Sequence, residues 1–229
     1  MSLSDKKLVM GIDEAGRGPI IGPMIVAGVV FEEDIENELI KIGVRDSKRI
    51  GQKRREKLFY QILEKAVYVI VRMISPKDVD ENNINEIELD TIVRMIIGTC
   101  MSLNRCPDKI IIDAVGNPSG GEKYIRAKTG HKNVMMRIAA DSNYPVVSAA
   151  SIAAKVLREW HIERLKKSLG EFGSGYPSDI DTILWLENNK KLAEMLGGIH
   201  VRRKWETYKK HVRTYKGPPL IRRSDSETS

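Results

Sequence analysis

Short apolar runs alternate with longer segments of helical periodicity along this chain. Residues 7–12 and residues 23–31 are two such runs, separated by a glycine-rich and proline-containing connection. Their length and bounding residues predict two β-strands, and the short connection favours an antiparallel pair. Further strands are predicted at residues 67–74, 108–116 and 133–141. The continuously apolar run at 108–116 is typical of a strand that is buried on both faces.

Four other segments carry apolar residues at helical spacing. Their expected bounds are residues 47–66, 84–103, about 148–169 and about 180–196. Leu58, Ile62 and Leu63 form the expected apolar side of the first helix, and Ser148 or a near neighbour is expected to cap the third. Strands that are followed by helices and a buried strand favour a mixed sheet with helices on both faces.

Composition adds limits to this α/β prediction. A hydrophobic content of 41% and a charged content of 30% are typical of a soluble globular protein. There is no apolar run near the roughly 18 residues of a membrane span, and the first residues lack a signal-peptide core, so we expect a cytoplasmic protein. Cys100 and Cys106 are expected to be reduced, because two cysteines make no disulfide framework and their spacing fits no metal site.

Positive charge is concentrated near the C-terminus. Residues 190–223 hold 11 Lys/Arg against 2 Asp/Glu, whereas residues 1–189 hold 27 of each. A second basic segment at 45–57 holds seven Lys/Arg in thirteen residues. A solvated basic helix would show the same pattern, but two basic segments favour a nucleic-acid partner. Within the C-terminal segment, the candidate contacts to a nucleic-acid backbone are Arg202, Arg203 and Lys204.

Acidic residues stand at the ends of three predicted strands. Asp13 and Glu14 follow the first, Asp113 follows "KIII" and Asp141 follows "MMRIAA". Ligand crevices lie at the carboxyl ends of strands in such sheets, so one shared site is favoured over three unrelated turns. Clustered carboxylates stay ionised only around a cation, and oxygen-only ligands indicate Mg²⁺ or Mn²⁺. Phosphodiester hydrolysis commonly uses two such ions.

Adjacent residues of a strand point to opposite faces, which limits this site. Asp13 and Glu14 are expected to share it only if the strand ends or bulges at Glu14. Two glycine-rich segments do not supply an alternative nucleotide site. "GRGPIIG" is preceded by acids and followed by a strand, unlike a dinucleotide fingerprint, and "GNPSGGEKY" lacks the Gly-Lys-Ser/Thr ending of a P-loop.

Several motifs in this order resemble those of type 2 ribonuclease H (ribonuclease HII). They are "DEAGRGP" with "GPMIVAGVV", "RDSK" at 45–48, "DSNYPVVSAASIAAKVLRE" at 141–159 and "GYPSD" at 175–179. The resemblance covers roughly residues 7–215, and the long basic C-terminus is similar to that of archaeal members. It implies a ribonuclease H-like fold, in which Asp13, Glu14, Asp113 and Asp141 are the metal-binding catalytic carboxylates.

The same resemblance implies a set of substrate contacts. Gly16, Arg17 and Gly18 would meet the 2′-hydroxyl of the ribonucleotide, and glycine suits this role because it lets backbone approach a sugar closely. Tyr176 would stack on the deoxyribose beyond an RNA–DNA junction. Lys48 and Lys155 would contact phosphates, the latter assisted by the amides of a helix start. Ser148 and Ser151 are further candidates, although capping alone would explain either.

The sequence therefore predicts a metal-dependent endonuclease. Its expected substrates are RNA–DNA hybrids and single ribonucleotides embedded in duplex DNA, cleaved to leave 3′-hydroxyl and 5′-phosphate ends. A DNA-acting transposase or junction resolvase, and a non-catalytic nucleic-acid-binding module, are the alternatives. We expect a monomer with a catalytic domain at 1–185, a basic helical extension at 186–220 and a disordered tail at 221–229.

Overall fold

A computed structural model describes residues 6–44, 50–114 and 116–212. Its centre is a five-stranded mixed sheet of order β3-β2-β1-β4-β5. β1 pairs antiparallel with β2 and parallel with β4, while β2–β3 is antiparallel and β4–β5 is parallel. The mixed sheet predicted from the sequence is confirmed. The strands are β1 (Leu8–Ala15), β2 (Met24–Glu32), β3 (Tyr68–Ile74), β4 (Lys109–Asp113) and β5 (Val134–Arg137).

Helices flank this sheet on both faces. After a 3₁₀ turn at Glu33–Ile35, they are α1 (Glu36–Ile42), α2 (Gln52–Lys65), α3 (Pro76–Glu81), α4 (Ile84–Leu103), α5 (Pro118–Thr129), α6 (Ala140–Asn143), α7 (Pro145–Leu169), α8 (Ile180–Asn188), α9 (Lys190–Met195) and α10 (Glu206–His211). None of these helices is long and apolar enough to span a membrane, within the residues that are described.

The helix predictions need several corrections. α7 begins at Pro145, whose fixed φ suits a first helical position, so Ser148 lies inside the helix and does not cap it. The helix expected at 180–196 is divided in two at Asn189. The predicted apolar position Leu63 of α2 is 40% exposed. The helices α1, α3 and α5 were not expected, and α5 occupies the segment considered as a P-loop.

Two hydrophobic cores lie on opposite faces of the sheet. α7 covers the face that carries Val9 and Ile111, and α4 covers the face that carries Ile12 and Ile112. α7 and β1 approach very closely, because a Cβ on Gly11 would lie 2.1 Å from the carbonyl oxygen of Val146. Glycine at this position therefore lets the first turn of α7 lie directly against the central strand.

A third core joins the C-terminal helices to the rest of the chain. Its buried residues come from the segment after β1, from α7 and from the C-terminal region, and they include Ile20, Ile162, Trp185, Val201 and Tyr208. Residues 186–212 are thus packed against the sheet-bearing part of the molecule. The expected division into domains at residue 185 stays a prediction.

The cysteines differ from their predicted state. Cys100 near the end of α4 and Cys106 in the following loop form a disulfide across a separation of six residues. The expectation of two reduced cysteines is therefore wrong for this structure. Two cysteines are too few for a disulfide framework, but one local pair can still form a disulfide at the end of a helix.

Candidate active site

Asp13 and Asp113 lie side by side at the carboxyl ends of two parallel strands. The register pairs Ile12 of β1 with Ile112 of β4, so each aspartate is the next residue along its strand. Asp13 is 5% exposed and accepts hydrogen bonds from the backbone N–H of Glu14, at 2.7 Å, and from the side chain of Ser151. The predicted meeting of these two acids is present.

Glu14 does not end or bulge the strand. β1 continues to Ala15, which pairs with Ile25, so strand alternation places Glu14 on the face covered by α4. Its carboxyl nevertheless interacts with those of Asp13 and Asp113. The expectation that Glu14 joins the site only if the strand ends or bulges there is therefore wrong. Glu14 lies close enough to the end of the strand for its carboxyl to interact with both aspartates.

Burial and crowding favour the protonated form of these acids. Burial raises the pKa of Asp13 well above its ordinary value, and repulsion by Glu14 and Asp113 adds to the effect. Burial, followed by repulsion from Glu88, raises the pKa of Glu14 to about 7. The site therefore holds more carboxyl groups than its own residues can keep ionised together.

Asp141 lies on a different element from the one predicted. β5 ends at Arg137, and Asp141 lies in the short helix α6, after Ala139 has taken a left-handed conformation at φ 55°. The backbone N–H of Ala140 donates to Asp113 at 2.6 Å, which ties α6 to the end of β4. Asp141 is itself buried, and its carbonyl accepts a hydrogen bond from Ser148.

Polar residues of α7 form hydrogen bonds next to the acids. Ser148 and Ser151 are fully buried, so neither hydroxyl lies at the surface where a phosphate would bind, and the predicted phosphate contacts need correction. Lys155 donates to Ser151 at 2.8 Å, and Ser151 in turn interacts with Asp13. Lys155 lies ten residues after the start of α7, so amides of a helix N-terminus do not assist it as expected.

Glu88 of α4 is a fifth acid of the site, which the sequence analysis missed. It is 5% exposed and forms an ion pair with Arg17, whose guanidinium also donates to Asn85. Burial raises the pKa of Glu88 to about 7 although Arg17 opposes the shift. Glu88 falls between Ile84 and Ile92, at spacings of four, where the helix pattern is otherwise apolar. This single carboxyl on the apolar side of the predicted helix is the sequence feature that could have identified Glu88 as a site residue.

The turn at Gly16–Gly18 is closely packed at its first glycine and open at its last. Gly16 has φ 88°, and a Cβ there would lie 2.5 Å from Nε of Arg158 and 2.7 Å from the carbonyl of Pro23. A Cβ on Gly18 would meet only the ring of Tyr176, at an ordinary 3.7 Å. The structure therefore brings together Gly18 and Tyr176, which are far apart in the sequence.

Tyr176 is held in place by the loop that carries it. The carbonyl of Gly175 accepts from the backbone N–H groups of Ile20 and Ile21, at 2.8 and 3.1 Å, and Asp179 binds both the N–H and the hydroxyl of Ser174. The guanidinium of Arg158 lies 5.1 Å from the centre of the Tyr176 ring. Tyr176 itself remains 37% exposed beside the turn.

The predicted basic face divides into different environments. Arg203 and Lys204 are exposed, and their backbone N–H groups bind Asp80. Arg202 is fully buried, so the prediction that it contacts a nucleic-acid backbone is wrong. Lys48 lies outside the described residues.

The donor set suits a hard divalent cation. The clustered acids offer only oxygen, and their raised pKa values reflect charge that a cation would compensate. In the part of the chain that the structure describes, no three Asp, Glu, His or Cys side chains stand in a ligating arrangement. One carboxyl of the cluster, that of Glu88, is ion-paired with Arg17.

Comparison with known proteins identifies this arrangement. The sheet order, the flanking helices and the acids at the strand ends define a ribonuclease H-type α/β fold. The family model described as Ribonuclease HII matches residues 10–208, and the chain belongs to that family. Members of the family cleave the RNA strand of RNA–DNA hybrids, so the protein is a ribonuclease H enzyme.

Archaeal relatives match over nearly the whole chain. Ribonuclease HII of Pyrococcus abyssi is 40% identical over 224 residues, which cover 93% of this chain and 94% of the relative. The crystal structure of ribonuclease H2 from Pyrococcus horikoshii has a TM-score of 0.81 and 41% identity, with coverage of 90% and 97%. Ribonuclease HII from Archaeoglobus fulgidus, solved in complex with PCNA, has a TM-score of 0.77 and 39% identity, with coverage of 87% and 94%.

Proposed function

We propose that this enzyme removes single ribonucleotides from duplex DNA in addition to cleaving continuous hybrids, and that it leaves 3′-hydroxyl and 5′-phosphate ends. The observation that carries the proposal is the position of the Tyr176 ring next to Gly18, where a Cβ would lie 3.7 Å from the ring, in the turn that follows Asp13 and Glu14 along the chain. One side of this pair is backbone that is suited to meet a 2′-hydroxyl, and the other is an exposed ring that is suited to a deoxyribose. Such a pair would recognise one ribonucleotide that is followed by DNA. Removal of such ribonucleotides is a step of DNA replication and repair.

Asp13, Glu14, Asp113 and Asp141 are the proposed catalytic and metal-binding residues. Their support is the shared position at the ends of β1 and β4 and on α6, together with the hydrogen bonds from Ser151 and Ala140 that orient two of them. The family depends on a divalent metal. These carboxylates would hold Mg²⁺ or Mn²⁺, with two ions as our expectation, and the metal would supply an activated water and charge stabilisation at the leaving oxygen. Glu88 holds Arg17 beside them.

Lys155, Arg203 and Lys204 remain proposed contacts to the nucleic-acid backbone. Lys155 is half-buried on α7, where its ammonium already interacts with Ser151, and the other two are exposed. Phosphate contacts of this kind add affinity without sequence information, and their contribution falls as salt is raised.

Three matched duplexes test the proposed activity. They differ in holding no ribonucleotide, one ribonucleotide or several, and cleavage is followed with Mg²⁺ or Mn²⁺ and with EDTA. Metal-dependent cleavage of the second and third duplexes is expected, and the third alone would restrict the enzyme to continuous hybrids. Asp13→Asn and Asp113→Asn should lose most of this activity while they remain folded by circular dichroism. Near-normal turnover by either variant would remove that aspartate from the site.

We also propose PCNA of the same organism as a protein partner. The support is the solved complex of the Archaeoglobus fulgidus relative, which this chain matches over 87% of its length. Size-exclusion chromatography of the two purified proteins tests the proposal, since co-elution is expected. The elution volume of the enzyme alone tests the expectation that it is a monomer.

A further inference from the structure

The C-terminal region is joined directly to the segment after the Gly16–Gly18 turn. The backbone N–H of Arg202 donates to Ile20 at 2.9 Å, and the N–H of Gly22 donates to His200 at 2.8 Å. Ile21 and Val201 form an antiparallel bridge between these segments. Residues that are about 180 positions apart in the sequence therefore behave as one small piece of sheet.

The side chain of Arg202 extends from this bridge into the turn itself. Its Nη2 donates to the carbonyls of Gly16 and Gly22, at 2.5 and 3.0 Å, and its Nη1 donates to the carbonyl of Arg17 at 2.7 Å. Its Nε also approaches the Gly22 carbonyl at 3.2 Å. The planar fork of a guanidinium is well suited to bind several fixed oxygens at once.

Trp205 completes this set of contacts. Its indole N–H donates to the carbonyl of Gly18 at 2.9 Å, and its ring lies under the guanidinium of Arg202 at 5.0 Å. The carbonyls of all three turn residues are thus bound by two side chains of the C-terminal region. No backbone hydrogen bond outside the helices and strands, among the described residues, takes its donor from Gly16, Arg17 or Gly18.

The charge of Arg202 has an unusual setting. The side chain is 0% exposed, and within residues 6–44, 50–114 and 116–212 it forms no ion pair with a carboxylate. Burial lowers the pKa of Arg202 to about 10, and repulsion by Arg158 adds to this, so the group stays charged at neutral pH. Burying a cation is costly unless polar groups surround it. Here those groups are the carbonyls of Gly16, Arg17 and Gly22, and Asp80 also interacts with the charge.

We propose that Arg202 is a positioning residue, which fixes the carbonyls of the Gly16–Gly18 turn so that the turn's other face meets the ribonucleotide. The inference rests on the proposed reading of the 2′-hydroxyl by this turn. It assigns to one buried side chain of the C-terminal region a role in substrate discrimination, where the sequence indicated only affinity for phosphate.

Arg202→Lys tests this role with the smallest change of charge. Lysine keeps the cation but cannot present the planar fork that serves three carbonyls, so the turn should lose its fixed orientation. Arg126→Lys is the matched control, because Arg126 also binds a backbone carbonyl, that of Val134 at 2.6 Å, on a helix away from the turn. Melting temperatures of both variants identify any loss that comes from unfolding.

The deciding measurement is discrimination at the 2′ position. Single-turnover cleavage is compared for a duplex with one ribonucleotide and the same duplex with one 2′-fluoro nucleotide, and again for continuous hybrids of both kinds. We expect Arg202→Lys to lower the maximal single-turnover rate and the hydroxyl-to-fluoro rate ratio at least tenfold, with little change in the enzyme concentration that gives half the maximal rate, while Arg126→Lys keeps the wild-type ratio. A wild-type ratio in a folded Arg202→Lys enzyme would overturn the proposal.

A second variant covers the case in which Arg202→Lys does not fold. Trp205→Phe keeps an aromatic ring but removes the N–H that binds Gly18, and a reduced hydroxyl-to-fluoro ratio is again expected. An unchanged ratio in this variant would then overturn the proposal. If the wild-type enzyme does not cleave the duplex with a single ribonucleotide, the proposed function is contradicted. The role of Arg202 is then tested by the hydroxyl-to-fluoro ratio on the continuous hybrids.

Discussion

Arg17 of the glycine-flanked turn is ion-paired with Glu88 of helix α4, a carboxylate that is only 5% exposed. The pair links the segment expected to meet the ribonucleotide with the acidic end of the sheet. Asn85, one turn earlier on α4, binds the same guanidinium. The side chain of Arg17 is therefore directed towards α4, while its carbonyl is bound by Arg202.

Glu88→Gln should lower the single-turnover rate on ribonucleotide substrates about tenfold. Glutamine keeps the size but loses a charge-assisted hydrogen bond, which is worth about 1.5–3 kcal/mol, and part of that energy orients Arg17. Glu86→Gln, at an exposed position two residues away on the same helix, is the control and should keep the wild-type rate. Equal rates for the two variants would show that the ion pair does not orient the turn.

Metal-free protein should become less stable between pH 5 and pH 8. The pKa of Glu14 is about 7 in the folded state against an ordinary 4.5, so the folded state holds a proton that the unfolded state has released. The free energy of unfolding therefore falls as pH rises through this interval. In EDTA, Glu14→Gln should show a smaller decrease in melting temperature than wild type. Identical decreases would remove Glu14 as a source of the effect.

Added Mg²⁺ should stabilise the wild type more at pH 8 than at pH 5. The acids must be deprotonated to bind a cation, and an ion that binds only the folded state raises its melting temperature. Thermal denaturation with and without the ion, at both pH values, measures the difference. An equal shift at both values would contradict a site built from these carboxylates.

Gly16→Ala and Gly18→Ala should affect stability differently. The first adds a Cβ 2.7 Å from the carbonyl of Pro23 at φ 88°, and a side chain in that conformation costs about 1–3 kcal/mol. The second adds a Cβ at an ordinary 3.7 Å from Tyr176. We expect both variants to lose activity on ribonucleotides, but only Gly16→Ala to melt at a clearly lower temperature. Full activity in Gly18→Ala would place the substrate elsewhere.

Tyr176→Ala should act selectively on junctions. The exposed ring offers a stacking surface worth about 1–3 kcal/mol for a base and less for a sugar. Cleavage at a lone ribonucleotide should therefore fall more than cleavage of a continuous hybrid, in which no deoxyribose follows. Tyr176→Phe keeps the ring and should resemble wild type on both substrates. Equal losses for Tyr176→Ala on the two substrates would mean that Tyr176 is structural.

The sequence predicted those parts of the site that depend on local pattern. Short apolar runs followed by acids predicted the strands that carry Asp13 and Asp113, because a strand follows from a few neighbouring residues. Asp141 was assigned to a strand since "MMRIAA" stays apolar, whereas the left-handed Ala139 ends the extended segment earlier. The resemblance to a family, and not the residue pattern, indicated Tyr176.

Other parts depend on contacts that no local pattern records. Arg202 stands in a uniformly basic segment, and its burial follows only from the bridge between Ile21 and Val201. Arg158 of α7 is also buried, and the ring of Tyr176 that it meets belongs to a separate loop. Charged residues in such positions are identified once tertiary structure shows which carbonyls or rings surround them.

The bridge between residues 20–22 and 200–202 also determines which contacts of the turn can form only late in synthesis of the chain. The Gly16–Gly18 turn leaves the ribosome early, but the side chains that bind its carbonyls follow about 180 residues later. Contacts of such large sequence separation form late, since most of the intervening chain must fold first. A nascent chain therefore carries Asp13, Glu14 and the Gly16–Gly18 turn long before it contains the side chains that bind the carbonyls of that turn.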